Sequence, residues 1–420
     1  MLNNNDKIGI LKYTYFFEEF MRNISMVITN PAENCHNSMN VSWHSNLDFI
    51  DNYIEYHKKY SNKWIKVYPE SHKVEVFDNV YTISKKRKDF YQKVKFLHHE
   101  VTLTNLEEEC IYYYRINGFK KIYSFKTSPK SNFSFLWFSD FHAYPPAPKR
   151  LENAQNILTN MAKKHSDYDF ILCTGDTVAW GGSYKFWLDA YNIKEFKTKM
   201  LVNVLGNHDH MSRGYLKDTS DYFKEVNNFP KNSYPGEEGI TYFFKYGDTL
   251  FIVFHNEHMG VGDGEKKEEI KKGYDFLEKT IKENPSKHIV LLQHYQWING
   301  TNGRERTFGY LRWKDLCDKY HIDLALSAND HTYIRTYPMY HDEVNESGTV
   351  YMQCPSCDGE RGVDLEEVSE LNPKLAHRYA TGRDTVAALY VSIQDDYIET
   401  ILYDRDMNIV DQNKIIKKVE

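Results

Sequence analysis

Five short clusters of Asp, Asn and His are spread along the sequence: Asp140-Phe-His142, Gly175-Asp176, Gly206-Asn207-His208-Asp209, His294 and Asp330-His331. Each follows a short apolar run of the kind that forms a buried strand, so a parallel sheet would carry all five to one rim. Carboxylate oxygens and imidazole nitrogens gathered in this way suit iron, manganese or zinc. Asp140 and His142 stand two residues apart where a strand ends, which lets both turn toward one ion. Asp176 follows a glycine that allows close backbone approach, and its two oxygens can bridge cations about 3.5 to 4 Å apart. The Asn207 amide offers a carbonyl oxygen without charge, His294 offers a nitrogen to the second ion, and His331 can close the shell of the first. His208 is aimed past the ions, toward a leaving oxygen. Singly, Asp140-Phe-His142 and Gly175-Asp176 read as ordinary turns and His294 as a capped core histidine, while Gly206-Asn207-His208-Asp209 is the most specific piece. In this order they describe a two-metal hydrolytic centre.

The elements that must position these residues follow a strand, loop, helix grammar. Strands are predicted at Phe133 to Phe138, Phe170 to Cys173, Leu201 to Leu205, Leu250 to Phe254, Ile289 to Leu292 and Leu324 to Leu326. Helices are predicted at Leu151 to Lys164, Ser183 to Phe196 and Glu265 to Lys282. Such alternation implies crossover units and a mostly parallel sheet flanked by helices. Thr385 to Ile393 and Tyr397 to Tyr403 alternate again and are expected to close a second, antiparallel sheet. Earlier in the chain the period is two. Ser25 to Thr29, Met39 to Trp43, Trp64 to Tyr68, Val101 to Thr104, Tyr112 to Ile116 and Ile122 to Thr127 predict a small antiparallel sandwich. The polar joint Ser128 to Asn132 divides residues 24–129 from a catalytic domain at 130–420.

A chain of 420 residues leads us to expect two domains, and 41% hydrophobic with 15% aromatic residues is enough to build their cores. The net charge of -6, with both signs interspersed, gives no sign of a nucleic-acid groove or a polybasic membrane patch. Charged residues interrupt every apolar stretch near the amino terminus, so neither a signal peptide nor a membrane span is expected and a cytoplasmic location is favoured. Six cysteines do not make a disulfide framework; Cys173 reads as a core thiol, and Cys354-Pro-Ser-Cys357 as two loop thiols.

The series Asp140-x-His142, Gly175-Asp176, Gly206-Asn207-His208-Asp209, His294 and His331 resembles the calcineurin-like metallophosphoesterase superfamily. The sandwich, with Val101-Thr-Leu-Thr-Asn-Leu106, Tyr112-Tyr-Tyr-Arg115 and Phe125-Lys-Thr127, is similar to the fibronectin-III-like amino-terminal domain of purple acid phosphatases. His331-Thr-Tyr-Ile-Arg335-Thr-Tyr-Pro338 is similar to that family's last metal-histidine segment. The resemblance implies an α/β (α+β) fold, a two-layered-sheet sandwich flanked by helices and preceded by the all-β sandwich. It assigns Asp140, His142 and His331 to the first ion, Asn207 and His294 to the second, and Asp176 to both. His208 becomes the catalytic residue that binds a phosphoryl oxygen or protonates the leaving alcohol.

Two positions depart from the family pattern. Ala179 stands where a purple phosphatase carries the tyrosine that colours its iron, and Asn329 replaces the first histidine of the closing Gly-His-x-His. An amide is the weaker donor, so the second ion should be held less firmly.

The expected reaction is hydrolysis of a small phosphate monoester by a metal-bound hydroxide at a dinuclear iron, manganese or zinc site. A phosphodiesterase or nuclease with the same site, and a binding protein with a decayed second site, are the alternatives. Nucleic-acid and membrane partners are not expected, and a homodimer is left open. Around the site, His210 is a candidate aid to His208, His255 and His258 are candidate rim residues, and Arg335 is expected to pack or pair within its loop.

Overall fold

The computed structural model describes residues 24–49, 51–79, 91–117, 119–212, 219–260, 264–299, 307–363, 376–379 and 382–416. The amino-terminal segment read above for a signal peptide lies largely outside them, at 1–23. Among the described residues no helix is long and apolar enough to cross a membrane.

The period-two segments form two four-stranded antiparallel sheets. One orders Ser25–Asn30, Met39–Ser45, Tyr91–Leu103 and Glu70–Asn79; the other orders Ile65–Val67, Ile54–Lys58, Ile111–Ile116 and Tyr123–Lys126. In Ile111–Ile116 the buried residues Tyr112, Tyr114 and Ile116 alternate with outward ones, as a half-solvated sheet requires. Met39–Ser45 is instead buried at every position. Its second face meets the rest of the chain, where Asn40 Nδ2 donates to the Asn228 carbonyl at 2.8 Å.

Beyond residue 130 two mixed sheets pack face to face. The first orders Met200–Asn203, Phe170–Cys173, Phe133–Phe138, Ala387–Ile393, Tyr397–Asp404 and Ile409–Ile416, its first three strands parallel. The second orders Tyr242–Tyr246, Thr249–Val253, His288–Leu292, Leu324–Ser327, Val350–Gln353, Tyr333–Thr336 and Ala376–Tyr379, with a parallel centre. Strand residues alternate between two cores. Phe251, Val290 and Leu324 face the first sheet, where Phe251 packs edge-on to Phe170 at 5.7 Å. Ile252, Leu291 and Ala325 share a core with Leu277 and Ile281 of helix Lys267–Glu283 and Trp313 of helix Phe308–Lys319.

Two expectations are corrected. The late strands do not build a second antiparallel sheet; Ala387–Ile393 pairs antiparallel with Phe133–Phe138, Leu389 opposite Trp137, and so extends the first sheet. Its neighbour's free edge takes a strand buried on both faces, which alternation alone does not distinguish from an edge hairpin. The helix expected over Ser183 to Phe196 stops at Ala190, and a separate short turn follows at Glu195–Lys197. The Tyr191 side chain is drawn into the core, where its hydroxyl donates to Asn227 Oδ1 at 2.9 Å.

Candidate metal centre

The sheet order delivers the five clusters to one place. Asp140 and His142 follow strand Phe133–Phe138, Asp176 follows Phe170–Cys173, and Asn207 and His208 follow Met200–Asn203, all in the first sheet. His294 and His331 follow His288–Leu292 and Leu324–Ser327 of the second. The site therefore spans the carboxyl ends of both layers. The backbone is left-handed at Asp140, His142, Asp176, Asn329 and His331, with φ between 42° and 74°. Such conformations cost about 1–3 kcal/mol each and persist only where the surroundings over-determine them.

Glycine is required where the loops cross. A methyl on Gly206 would lie 2.3 Å from the Asp176 backbone nitrogen, and one on Gly175 would lie 2.5 Å from His294 Nδ1. Asp209 clamps the crossing, accepting from Gly206 N at 3.0 Å and Val178 N at 3.1 Å.

Ligand atoms of Asp140, His142, Asp176 and His331 lie within 4.8 Å of one another. The two oxygens of Asp176 divide between two groups: Oδ2 lies 3.0 Å from His142 Nε2, and Oδ1 lies 3.4 Å from His294 Nε2. His294 Nε2 is also 3.1 Å from Asn207 Oδ1, and His331 Nε2 is 3.5 Å from Asp140 Oδ1. Each of the three histidines donates Nδ1–H to a backbone carbonyl: His142 to Asp140 at 2.8 Å, His294 to Thr174 at 2.7 Å and His331 to Arg361 at 2.5 Å. That fixes the tautomer and turns every Nε2 lone pair inward, which is how a metal-binding histidine is prepared. Asp140 Oδ1 is buried without a hydrogen-bond partner, a state that coordination of a cation would relieve. The residues thus fit a pair of cations.

Burial pushes the Asp176 carboxyl up, but His294 and His142 outweigh it and hold the group well below the usual carboxylate range. Burial likewise pushes His294 down, and the Asp176 charge more than reverses this. Asp209, buried and close to the Asp176 charge, is pushed up to about 8. His208 is pushed down to about 4, chiefly by burial. Its Nδ1–H donates to the Ala179 carbonyl at 3.0 Å and its Nε2 stands 3.3 Å from Arg361 Nη2.

Other expectations fare differently. His210 faces Glu257 at 3.5 Å, and His255 and His258 face Glu237 at 3.1 and 3.6 Å. Arg335 pairs, but with Asp411 on the last strand through two hydrogen bonds, not within its own loop. Cys354 and Cys357 are free thiols, fully buried against the Trp137 and Ser139 carbonyls. Asn329 donates its amide to Gln296 Oε1 at 2.6 Å.

Two residues escaped the sequence reading. Asp358 is wholly buried 3.4 Å from His142 Nδ1, and Arg361 reaches His208. Both follow strand Val350–Gln353, so the signal of a polar cluster after an apolar run was present, masked by the cysteine pair between them.

Residues 133–333 match the family of calcineurin-like phosphoesterases, and residues 23–133 match the purple acid phosphatase amino-terminal domain. The chain carries a calcineurin-like phosphoesterase domain. Purple acid phosphatase PPD1 from yellow lupin (Lupinus luteus) seeds has a similar structure, with a TM-score of 0.72 and 17% identity over 94% of this chain and 74% of the lupin one. GAP50, the anchor in the inner membrane complex of Plasmodium, gives a TM-score of 0.50 and 16% identity over 69% of this chain and 90% of its own. At such identities the likeness is one of fold. No curated protein sequence matches the chain. Ala179 has no phenol to offer, and Asn329 offers an amide where the resemblance drawn from the sequence implies a histidine.

Proposed function

We propose that this phosphoesterase chain is a phosphomonoesterase for small phosphorylated molecules, working with two cations of iron, manganese or zinc. The observation that carries this reading is the common orientation of His142, His294 and His331, each fixed at Nδ1 with its Nε2 turned toward the oxygens of Asp176, Asn207 and Asp140. Asp140, His142 and His331 would hold one cation, Asn207 and His294 the other, with Asp176 shared between them. When bound, the pair would lower the pKa of water toward about 7 and neutralise charge on the phosphate.

The remaining work falls to the chain's own side chains. The Arg361 guanidinium and His208 Nε2 stand side by side, so a phosphoryl oxygen can take a charged hydrogen bond from each. With Nδ1 tied to Ala179, Nε2 is the atom through which His208 passes a proton to the leaving oxygen. Burial disfavours that proton in the resting site, and the charge of a phosphate dianion beside the ring favours it. Asp358 keeps the His142 ring in place, its Oδ1 held by the Glu360 and Arg361 backbone N–H groups at 2.8 and 2.9 Å. A cavity of about 840 Å³, lined by Asn207, Asn256, Glu257, Tyr295 and Asn329, receives the leaving alcohol. Its size suits a small molecule. Arg361 beside His208 favours a doubly charged monoester over a diester, whose phosphate carries one charge.

Comparing p-nitrophenyl phosphate with bis-p-nitrophenyl phosphate, with added manganese, zinc or iron, tests the reading. The monoester should turn over faster, and Asp176→Asn should lose both bound metal and turnover. Two equivalents of metal without hydrolysis of either ester would refute it.

A further inference from the structure

A second convergence of imidazoles and carboxylate lies at the seam between the amino-terminal sandwich and helix Asp221–Glu225. We infer that His72, His98 and Glu225 form a binding site for a divalent transition cation, zinc foremost. His72 and His98 are directly opposed on antiparallel strands Glu70–Asn79 and Tyr91–Leu103. Opposed residues share a face of the sheet with their Cβ atoms about 5 Å apart, so both rings leave it in the same direction. Their centroids are 5.1 Å apart, and His72 Nε2 and His98 Nδ1 each lie 2.8 Å from a single atom, Glu225 Oε2. One ligand atom from each of the three residues falls within 4.8 Å of the other two.

Among the described residues four histidines crowd this seam, His44, His72, His98 and His99, and of these His72 and His98 turn to a carboxylate. His44 is engaged by the Tyr184 hydroxyl and the Glu225 carbonyl, both at 2.5 Å. His99 is engaged by the Ser45 and Ser71 hydroxyls at 2.8 and 2.7 Å. His72 and His98, by contrast, meet carboxylate. The second nitrogen of His98 adds an independent sign. His98 Nε2 is buried without a hydrogen-bond partner and stands 3.9 Å from Glu100 Oε1. A cation on Nδ1 would put the ring proton on Nε2, facing Glu100, and a carboxylate behind a ligating histidine is the usual outer support of such sites. Lys231 in turn steadies Glu100 at 2.7 Å.

Two imidazoles and one carboxylate are the donor set of an open zinc site, with the last position left to water. The burial agrees, for the His98 side chain is 1% exposed and that of His72 is 50% exposed, so the open position faces solvent. A cation here would fasten two sandwich strands to the catalytic half without touching the phosphate chemistry.

The test uses the full chain in the Asp176→Asn background, compared with Asp176→Asn/His72→Ala and Asp176→Asn/His72→Gln. Only residue 72 differs, so the comparison reads the seam whether or not Asp176 holds metal. Zinc bound after equilibrium dialysis should fall by about one equivalent per chain in both double variants. Zinc should also raise the melting temperature of Asp176→Asn by a margin that both lose. His72 is half exposed, so its replacement should leave the fold intact, as circular dichroism would verify. Equal zinc content and equal zinc-induced shifts in the three chains would overturn the site.

Discussion

Replacing Gly206 by alanine tests the close approach on which the candidate metal centre is built. Gly206 has φ −99° and ψ 167°, backbone that alanine adopts freely, so the change carries no conformational cost of its own. The added methyl would stand 2.3 Å from Asp176 N and 2.4 Å from Asp176 Oδ1, where ordinary contact begins at 3.4 Å. One side must therefore yield by roughly an ångström. Asp176 is tied on every side: Oδ1 accepts from His208 N at 2.8 Å and faces His294, while Oδ2 faces His142 at 3.0 Å. Overpacking of this kind costs about 1–3 kcal/mol, a fall of several degrees in melting temperature. A misplacement of about 1 Å at a reacting centre costs about a hundredfold in rate. The assay is kcat on p-nitrophenyl phosphate together with metal content, with Gly264→Ala as control because its methyl meets nothing within 4 Å. The reasoning fails if Gly206→Ala keeps kcat and metal content within twofold of the parent while Gly264→Ala does the same.

Arg361→Ala should lower kcat/KM by about 10- to 100-fold, the value of a charged hydrogen bond of about 1.5–3 kcal/mol, with KM carrying much of the change; an unaltered KM for the monoester would remove Arg361 from phosphate binding. Asp358→Asn should weaken metal binding about 10- to 100-fold by releasing the His142 ring, measured by competition with a chromophoric chelator. Asn329→His should reduce the manganese or zinc concentration needed for half-maximal activity by about tenfold, and no change would show that position 329 does not face the second cation. The buried His99 ring is pushed down to about 4, chiefly by burial and then by the nearby His98 and His72, so the unfolded chain takes up a proton near pH 6.5 that the folded ring refuses. Its contribution to stability is therefore complete above about pH 6.5 and is lost as pH falls toward 4, with a slope of at most about 1.4 kcal/mol per pH unit; urea melts across that range should be flatter for His99→Gln.

Much of this arrangement was legible because the candidate site residues sit immediately after buried strands, where an apolar run followed by Asp, Asn or His is visible without knowing the sheet order. The register of the parallel strands then brings Asp140, Asp176 and Asn207 abreast, Phe138 beside Cys173 and Cys173 beside Asn203. What stayed hidden depends on contacts across the fold. Asp358 and Arg361 reach the site because strand Val350–Gln353 lies parallel beside Leu324–Ser327, a pairing that no local pattern specifies. Arg335 finds Asp411 because the late strands extend the first sheet, a placement that alternation left open. The seam histidines gave no signal either, since His72 and His98 are far apart in sequence and are joined only by the register of one antiparallel pair.

The two halves of the centre differ in a way that bears on how it would operate. The first group gathers Asp140, His142, His331 and one oxygen of Asp176, with Asp140 and His142 wholly buried and Asp358 behind the imidazole. The second gathers the other Asp176 oxygen, His294 and the Asn207 amide, and Asn207 and Asn329 line the open cavity. Charge and enclosure thus fall on one side, and neutral amides with access to solvent on the other. Attraction between a cation and a carboxylate strengthens as water is excluded, so the first group would be the tighter of the two proposed sites. The second opens on the cavity proposed to receive the leaving alcohol. On the proposed reading, that arrangement gives Asn329 a physical sense: its amide, held by Gln296, adds a polar wall to the cavity and would leave a second cation to fewer strong donors.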